Sequence, residues 1–349
     1  MIRVVVADDS ATARFLLRAV LEAEGDLRVV AEAHDGAEAV DLVERHKPDL
    51  VIMDVHMPVL DGLEATKQIM VRAPTPIIIV SAVTRRDVDL SLSATQAGAL
   101  LALPKPENVG GSSFEERAAE LRAMARAMAH VKVVRHWSSH VNPVSQPVPR
   151  PRRQAMEAPQ VIAIAASTGG PPALRRMLMD LPRTLPLPVL VVQHIARDFS
   201  AGFAEWLAAS CALRVKLAED RERLSEGVVY IAPDDAHLGV TREGRVALSR
   251  DPPIAGFRPS ATYMFASAGR AYGRHLLAVV LTGMGSDGAV GLEEAHAAGA
   301  YVIAQNETSS VVYGMAAEAV RRGAVDIELP IERIAERVLE IVSGGAHAG

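Results

Sequence analysis

Two sets of reactive side chains, well separated along the chain, carry the chemistry this sequence can do. In the first third, Asp8 and Asp9 follow Arg3-Val4-Val5-Val6-Ala7 and Asp54 follows Leu50-Val51-Ile52-Met53; Ser81 follows Ile77-Ile78-Ile79-Val80, and Lys105 comes just after Leu100-Leu101-Ala102-Leu103. Carboxylates brought together repel one another, at a cost of several kcal/mol unless a cation neutralises them. Hard oxygen ligands with no histidine or thiolate cluster point to Mg²⁺. Asp54 is the candidate nucleophile, because an aspartate oxygen can take a phosphoryl group whose charge the metal and Lys105 then balance. Ser81 is placed to hydrogen-bond the added oxygens. Each acid taken singly is as well explained by solvation or helix capping; the joint spacing is what favours a site.

The second set is Ser167, His194 and Asp287. Ser167-Thr168-Gly169-Gly170-Pro171 follows an apolar run and opens a helical segment. The glycines allow close backbone approach, and a helix N-terminus favours a developing negative charge. Such a loop equally suits a phosphate, although neither usual nucleotide fingerprint is present and the Gly-x-Ser-x-Gly elbow of α/β-hydrolases is also missing. His194 ends Val191-Val192-Gln193, and Asp287 lies in Leu281-Thr282-Gly283-Met284-Gly285-Ser286-Asp287-Gly288. Alone, His194 reads as structural and Asp287 as a cap for the helix starting at Ala289. Together the three supply nucleophile, general base and orienting carboxylate. His237 is a rival base, ranked lower because it adjoins an expected hairpin.

The elements that must position these groups are legible in outline. From Ile2 to about His130, short apolar runs alternate with helical spacing, which predicts a doubly wound α/β domain with a five-stranded parallel, flavodoxin-like sheet. Reactive groups then fall at the strand ends, where open α/β sheets place their sites. From His136 to Gln160 prolines and arginines replace the periodicity, as expected of a solvated linker. Val161–Ala165, Val189–Val192 and Leu276–Leu281 read as buried strands of a second doubly wound domain. Leu238–Thr241 and Arg245–Leu248 flank Arg242-Glu243-Gly244, which predicts an antiparallel hairpin at one edge of a mostly parallel sheet. The expected boundaries are 1–125 for the first domain, 126–159 for the linker and 160–345 for the second domain.

Composition bounds the function. The chain has 349 residues, 49% of them apolar, and a formal charge of −5, which is enough for two full cores and leaves no basic footprint for nucleic acid. No apolar run approaches the roughly 18–20 residues that span a bilayer, and the start lacks a signal-peptide pattern. Neither nucleic-acid binding nor membrane insertion is expected. Cys211 is the only cysteine, so no intramolecular disulfide forms, which fits a cytoplasmic location.

Asp8-Asp9-Ser10, Asp54-Val55-His56-Met57-Pro58 with Asp61-Gly62, Ser81-Ala82 and Pro104-Lys105-Pro106 resemble the signature of response-regulator receiver domains. From about Val161 to Val342 the chain is similar to the catalytic domain of chemotaxis protein-glutamate methylesterases. That likeness rests on Ser167-Thr168-Gly169-Gly170, Gln193-His194-Ile195, Tyr230-Ile231-Ala232-Pro233, His237-Leu238, Arg258-Pro259-Ser260, Thr282–Gly288 and Ala304-Gln305-Asn306-Glu307. The resemblance implies phosphorylation at Asp54, Mg²⁺ held by Asp8, Asp9, Asp54 and the main-chain carbonyl of His56, and phosphoryl sensing by Ser81 and Lys105. It implies a Ser167–His194–Asp287 triad lined by Thr168 and Met284, with no cofactor in the catalytic domain. The implied reactions are demethylation of receptor glutamate γ-methyl esters and deamidation of receptor glutamines. Methyl-accepting chemotaxis receptors are the implied substrate, and a chemotaxis histidine kinase the phosphodonor. Competing functions are an esterase acting on a non-receptor substrate and a non-catalytic adaptor binding a phosphate-containing ligand. Three positions depart from the family pattern: Ala102 replaces an aromatic residue common in receivers, while Ala165 and Asp234 replace glycines.

Overall fold

The computed structural model describes residues 1–82, 84–106, 112–131, 133 and 157–345. The chain divides into two compact units, Met1–Val141 and Asn142–Gly349. In the first, β1 (Ile2–Ala7), α1 (Ala11–Glu22), β2 (Leu27–Ala33), α2 (Gly36–His46), β3 (Leu50–Met53), α3 (Gly62–Arg72), β4 (Ile77–Ser81), α4 (Arg85–Gln96), β5 (Leu101–Pro104) and α5 (Ser112–Met128) alternate strictly. The sheet order is β2-β1-β3-β4-β5, parallel throughout. The central strands are buried on both faces, with Val4–Ala7, Leu50–Met53 and Ile77–Ile79 each at 0% exposure; that is why they read as unbroken apolar runs. Burying each such valine, leucine or isoleucine contributes on the order of 1.5–3 kcal/mol.

Side-chain caps start the first four helices. Ser10, Asp35, Asp61 and Thr84 accept from Ala13, Glu38, Glu64 and Asp87 N–H groups respectively, each cap being worth about 1 kcal/mol. α5 continues to Met128, past the boundary expected at 125. Most of the expected linker, from 134 to 156, lies outside the described residues.

The second unit runs β6 (Val161–Ala166), α6 (Gly170–Met179), β7 (Val189–Gln193), α7 (Ser200–Ala208), β8 (Arg214–Leu217), β9 (Val228–Ile231), β10 (His237–Val240), β11 (Val246–Ser249), α8 (Ala261–Tyr272), β12 (Leu276–Val280), α9 (Ala289–Ala297), β13 (Tyr301–Gln305), α10 (Met315–Arg321), β14 (Ile327–Leu329) and α11 (Ile331–Gly345). Seven strands form one parallel sheet in the order β14-β13-β12-β6-β7-β9-β8. From β6 the chain builds outward through β7 to one edge and through β12 to the other, so the strand order reverses between β6 and β12.

The hairpin is present, but β10 and β11 form a separate two-stranded sheet instead of an edge of the main one. It rests on α8, where the Ser267 hydroxyl accepts from Val240 N–H and donates to Val240 C=O, at 2.9 and 3.1 Å. The main-sheet edge is instead β8, Arg214-Val215-Lys216-Leu217, whose mixed composition hides it in the sequence. β13 and the three-residue β14 extend the sheet beyond the strands that the apolar runs predict. Among the described residues, no helix is long and apolar enough to cross a membrane.

Candidate active site and phosphoacceptor pocket

In the first unit the reactive groups fall at the β1/β3 reversal of strand order, where such sheets bind ligands. Asp8 follows β1 and Asp54 follows β3, and Asp54 N–H donates to Ala7 C=O at 2.8 Å. α3 begins directly behind Asp54: a Cβ at Gly62 would lie 2.0 Å from the Asp54 carbonyl oxygen, so a side chain there would force the helix away. Lys105 Nζ reaches Asp8 Oδ2 at 2.7 Å and Asp54 Oδ2 at 2.8 Å. Burial pushes the Asp54 carboxyl above its usual range, against the hydrogen bond and charge of Lys105 that pull it down. Lys105 is raised: burial favours the neutral amine, but its bonds to Asp54 and Asp8 outweigh that.

Asp8, Asp9 and Asp54 each offer an oxygen, and these oxygens lie within 4.8 Å of one another. That hard, all-oxygen donor set fits a divalent cation. The side chain of His56 is engaged elsewhere, with Nε2 2.6 Å from Asp87 Oδ1, which leaves its carbonyl for the expected role. The buried Ser81 hydroxyl sits 2.8 Å from Ser91 Oγ on α4 and donates to Ala82 C=O at 3.3 Å. Sensing a phosphoryl oxygen therefore requires Ser81 to give up an existing bond. Ala102 is a buried strand residue with no ring to rotate.

In the second unit Ser167 follows β6, His194 follows β7 and the Asp287 loop follows β12, around the other reversal of strand order. Ala166 and Gln193 are register partners, and His194 N–H donates to Ala166 C=O at 2.9 Å, so Ser167 and His194 leave adjacent strands side by side. Ser167 N–H donates to Thr282 C=O at 3.0 Å on the other flank. The fit is close: a Cβ on Gly283 would lie 2.8 Å from Ser167 Cβ, and one on Gly170 would lie 2.0 Å from Gln193 Oε1.

His194 Nε2 and Asp287 Oδ2 are 2.8 Å apart. The carboxylate is saturated: Oδ1 also accepts from Ser260 Oγ at 2.8 Å and Thr262 N–H at 3.1 Å, and Oδ2 from Ala261 N–H at 2.7 Å. Burial by itself pushes Asp287 up, but the His194 bond and charge, the Ser260 hydroxyl and the Ala261 N–H together hold it down at about 2. Asp287 does accept from helix-start N–H groups, but on another helix: those of Ala261 and Thr262 in α8, whose N-cap is Ser260, while α9 starts at Ala289 after Gly288 without a side-chain cap. An ionised carboxylate only accepts, so His194 Nε2 carries a proton, and in the neutral imidazole Nδ1 is the acceptor. Nδ1 is buried and has no hydrogen-bond partner among the described residues.

His237, the rival base, has both nitrogens engaged. Nδ1 accepts from Ser260 N–H and Nε2 faces Pro252 C=O, each at 3.2 Å, and the residue is fully buried. It braces the segment that holds Asp287. Sequence reasoning gave no role to Gln193, Ser260 or Gln305, which support the loops. Gln193 Nε2 donates to the carbonyls of Ser167 and His194, both at 2.8 Å, and Gln305 Oε1 accepts from Thr282 N–H at 2.8 Å. Amide side chains at strand ends were the available signal, since buried polar groups there need partners.

The Thr168 and Met284 N–H groups donate to no acceptor among the described residues, and α6 starts from left-handed Gly169 (φ 75°) without a side-chain cap. Two main-chain donors and a helix N-terminus thus lie on the loops that follow β6 and β12. Of the two departures in this unit, Ala165 packs fully buried between register partners Val192 and Val280, and Asp234 Oδ2 accepts from Asp198 N–H at 3.1 Å.

A receiver-type sheet joined to an α/β unit carrying a histidine–carboxylate pair beside a serine loop defines a two-domain protein of switch and hydrolase type. The response regulator receiver domain model matches residues 4–110, and the CheB methylesterase model matches residues 162–338. The chain is 52% identical to protein-glutamate methylesterase/protein-glutamine glutaminase 4 of Myxococcus xanthus, over 90% of this chain and 89% of that protein. It is 42% identical to protein-glutamate methylesterase/protein-glutamine glutaminase of Nitrosospira multiformis, over 98% of each chain. The crystal structure of the Thermotoga maritima CheB methylesterase catalytic domain aligns with a TM-score of 0.51 and 37% identity, covering 53% of this chain and 99% of that one. The chain belongs to the CheB family of receiver-linked methylesterases, and the acidic pocket of its receiver is a divalent-metal site.

Proposed function

We propose that this chain hydrolyses glutamate γ-methyl esters, and deamidates specific glutamines, on methyl-accepting chemotaxis receptors in the cytoplasm. The observation that carries the reading is the His194–Asp287 pair, which leaves the other imidazole nitrogen unpartnered on a residue that follows the strand next to that of Ser167. His194 Nδ1 takes the Ser167 hydroxyl proton as Oγ attacks the ester carbonyl carbon. The oxyanion is held by the Thr168 and Met284 N–H groups, a pair of donors of which each typically contributes on the order of 10²–10³ in kcat. The tetrahedral intermediate collapses, the carbon–methoxy bond breaks, and the imidazolium proton leaves with methanol. Water, deprotonated by His194, then attacks the acyl-serine and releases glutamate; with a glutamine side chain the first leaving group is ammonia. The nitrogen assignment is the reverse of the chymotrypsin arrangement, in which Nδ1 faces the carboxylate and Nε2 the serine.

Regulation is proposed to run through Asp54, which takes a phosphoryl group from a chemotaxis histidine kinase. Mg²⁺ held by Asp8, Asp9, Asp54 and the His56 carbonyl would neutralise the transferring group. Ser81 and Lys105 then bind the phosphoryl oxygens, and Ser81 leaves Ser91 to do so. The test is methanol release from methylated receptor membranes by wild type and Ser167→Ala. Loss of release below one thousandth of wild type is expected; substantial turnover by the alanine variant would remove Ser167 as nucleophile.

A further inference from the structure

The ring of Phe257 lies flat on the imidazole of His194, with centroids 4.2 Å apart and planes 14° from parallel. The backbone builds this placement. Ile254 and Phe257 exchange both main-chain hydrogen bonds, at 3.1 and 2.9 Å, closing a turn over Ala255 (φ 50°) and Gly256 (φ 88°). Two left-handed residues in succession are what a tight two-residue hairpin turn requires. On the far side of Phe257, Arg258 donates to the carbonyls of Arg250 and Asp251, both at 3.2 Å. Ser260, three residues on, holds Asp287. One short segment therefore supplies the ring on His194 and part of the cradle for its carboxylate partner.

His237 shows what a fixed imidazole needs in this unit. Both of its nitrogens are hydrogen-bonded and Tyr263 stacks on its face at 4.8 Å. His194 has the same kind of stack but only one hydrogen-bonded nitrogen, and one bond leaves the ring free to swing about the Nε2–Asp287 axis. The missing second bond is the one a general base must keep open for the serine proton.

We propose that Phe257 is a positioning residue for ester and amide hydrolysis: it fixes the plane of His194 so that Nδ1 faces the serine, and it places a π-face against the imidazolium that forms on proton transfer. This rests on the reading of His194 as the general base. An aromatic face within about 6 Å stabilises a cation, more strongly when the pair is shielded from water.

The test compares Phe257→Leu, which keeps apolar bulk but removes the π-face, with Phe257→Tyr, which restores a ring, in the full-length protein on methylated receptor membranes. Phe257→Leu should lower kcat about tenfold with KM changed by less than about twofold, and Phe257→Tyr should recover kcat to within about twofold of wild type. In NMR spectra of histidine-labelled protein, the ring-current shift on the His194 ring protons should vanish in the leucine variant and persist in the tyrosine variant. Retention of kcat by Phe257→Leu, or equal losses in both variants with matching losses of thermal stability, would overturn the proposal and leave simple packing. Ser167→Ala, run alongside, separates the two levels. If it keeps activity, the hydrolase reading itself fails; if it is inactive while Phe257→Leu is not, only the role of Phe257 falls.

Discussion

Asp54 and Asp287 occupy related places in two unrelated sites, the one directly after a buried parallel strand and the other in the loop that follows one, each beside a reversal of strand order, yet their surroundings are opposite. Asp287 receives four donors, from Ser260, Ala261, Thr262 and His194, and its carboxyl is held at about 2. Asp54 has one main-chain donor, Val55 N–H at 2.8 Å, and the Lys105 ammonium, and burial pushes it the other way. A carboxylate that orients a base must stay charged and still, and saturating its lone pairs does both. A carboxylate that attacks phosphorus needs an oxygen whose electrons are not fully engaged, so its charge is balanced by an ammonium and a metal instead of a full set of main-chain donors. On the proposed roles, the difference in donor count separates an orienting acid from a reacting one.

The sharpest way to break this comparison is at Asp287. Asp287→Asn should lower kcat by about 10³–10⁴, as expected when an orienting carboxylate no longer fixes the tautomer of its histidine. Stability should change with it, and the sign follows from the depressed carboxyl. A folded value of about 2 against an ordinary 3.8 means a stabilisation present above about pH 4 and lost as pH falls toward 2, of about 2 kcal/mol. Denaturant unfolding between pH 5 and 2, followed by Trp206 fluorescence in a Trp137→Phe background, should show this acid limb in the parent and not in Asp287→Asn. An unchanged limb would assign the acid sensitivity to other carboxylates and weaken the contrast with Asp54.

Asp54→Ala breaks the other side. Phosphodonor should raise methanol release by the wild type and leave the variant's rate within about twofold of its value without donor. That limit corresponds to less than about 0.4 kcal/mol of bias, where a nearly complete two-state switch needs about 5.5. A phosphodonor response that persists in Asp54→Ala would mean that another group carries the phosphoryl.

How much of this was legible in the sequence follows the physics of each signal. Strands buried on both faces appear as apolar runs, so β1, β3, β4, β6, β7 and β12 and the acids, serine and histidine at their ends could be read directly. β8 could not: as an edge strand it alternates Arg214 and Lys216 with Val215 and Leu217 and gives no run. Asp287 also reads in the sequence as a cap for α9, but the N–H groups it accepts from belong to Ala261 and Thr262 at the start of α8, 26 and 25 residues earlier, and only the fold brings the two together. Phe257 was invisible for a related reason. A stack between a loop ring and a strand-end histidine has no sequence spacing, and a lone phenylalanine among Ala255, Gly256 and Arg258 reads as an ordinary loop residue.

The smallest effect is expected at Ser91, and it sharpens the account of how Asp54 is read. Ser81 Oγ donates to Ala82 C=O and lies 2.8 Å from Ser91 Oγ, so swinging it over to a phosphoryl oxygen gives up both contacts, and Ala102 leaves no aromatic ring to carry the signal in its place. Exchange of one buried neutral hydrogen bond is worth about 1 kcal/mol, so Ser91→Ala should lower the cost of releasing Ser81 by up to that amount. The phosphodonor concentration giving half-maximal methanol release should then fall by up to about fivefold, with the maximal rate unchanged. The Ser81→Ala,Ser91→Ala double variant should lose that gain, because the hydroxyl that profits from release is gone. If Ser91→Ala instead weakens the response as strongly as Ser81→Ala does, the bond is not a brake, and Ser91 helps to form the phosphorylated state.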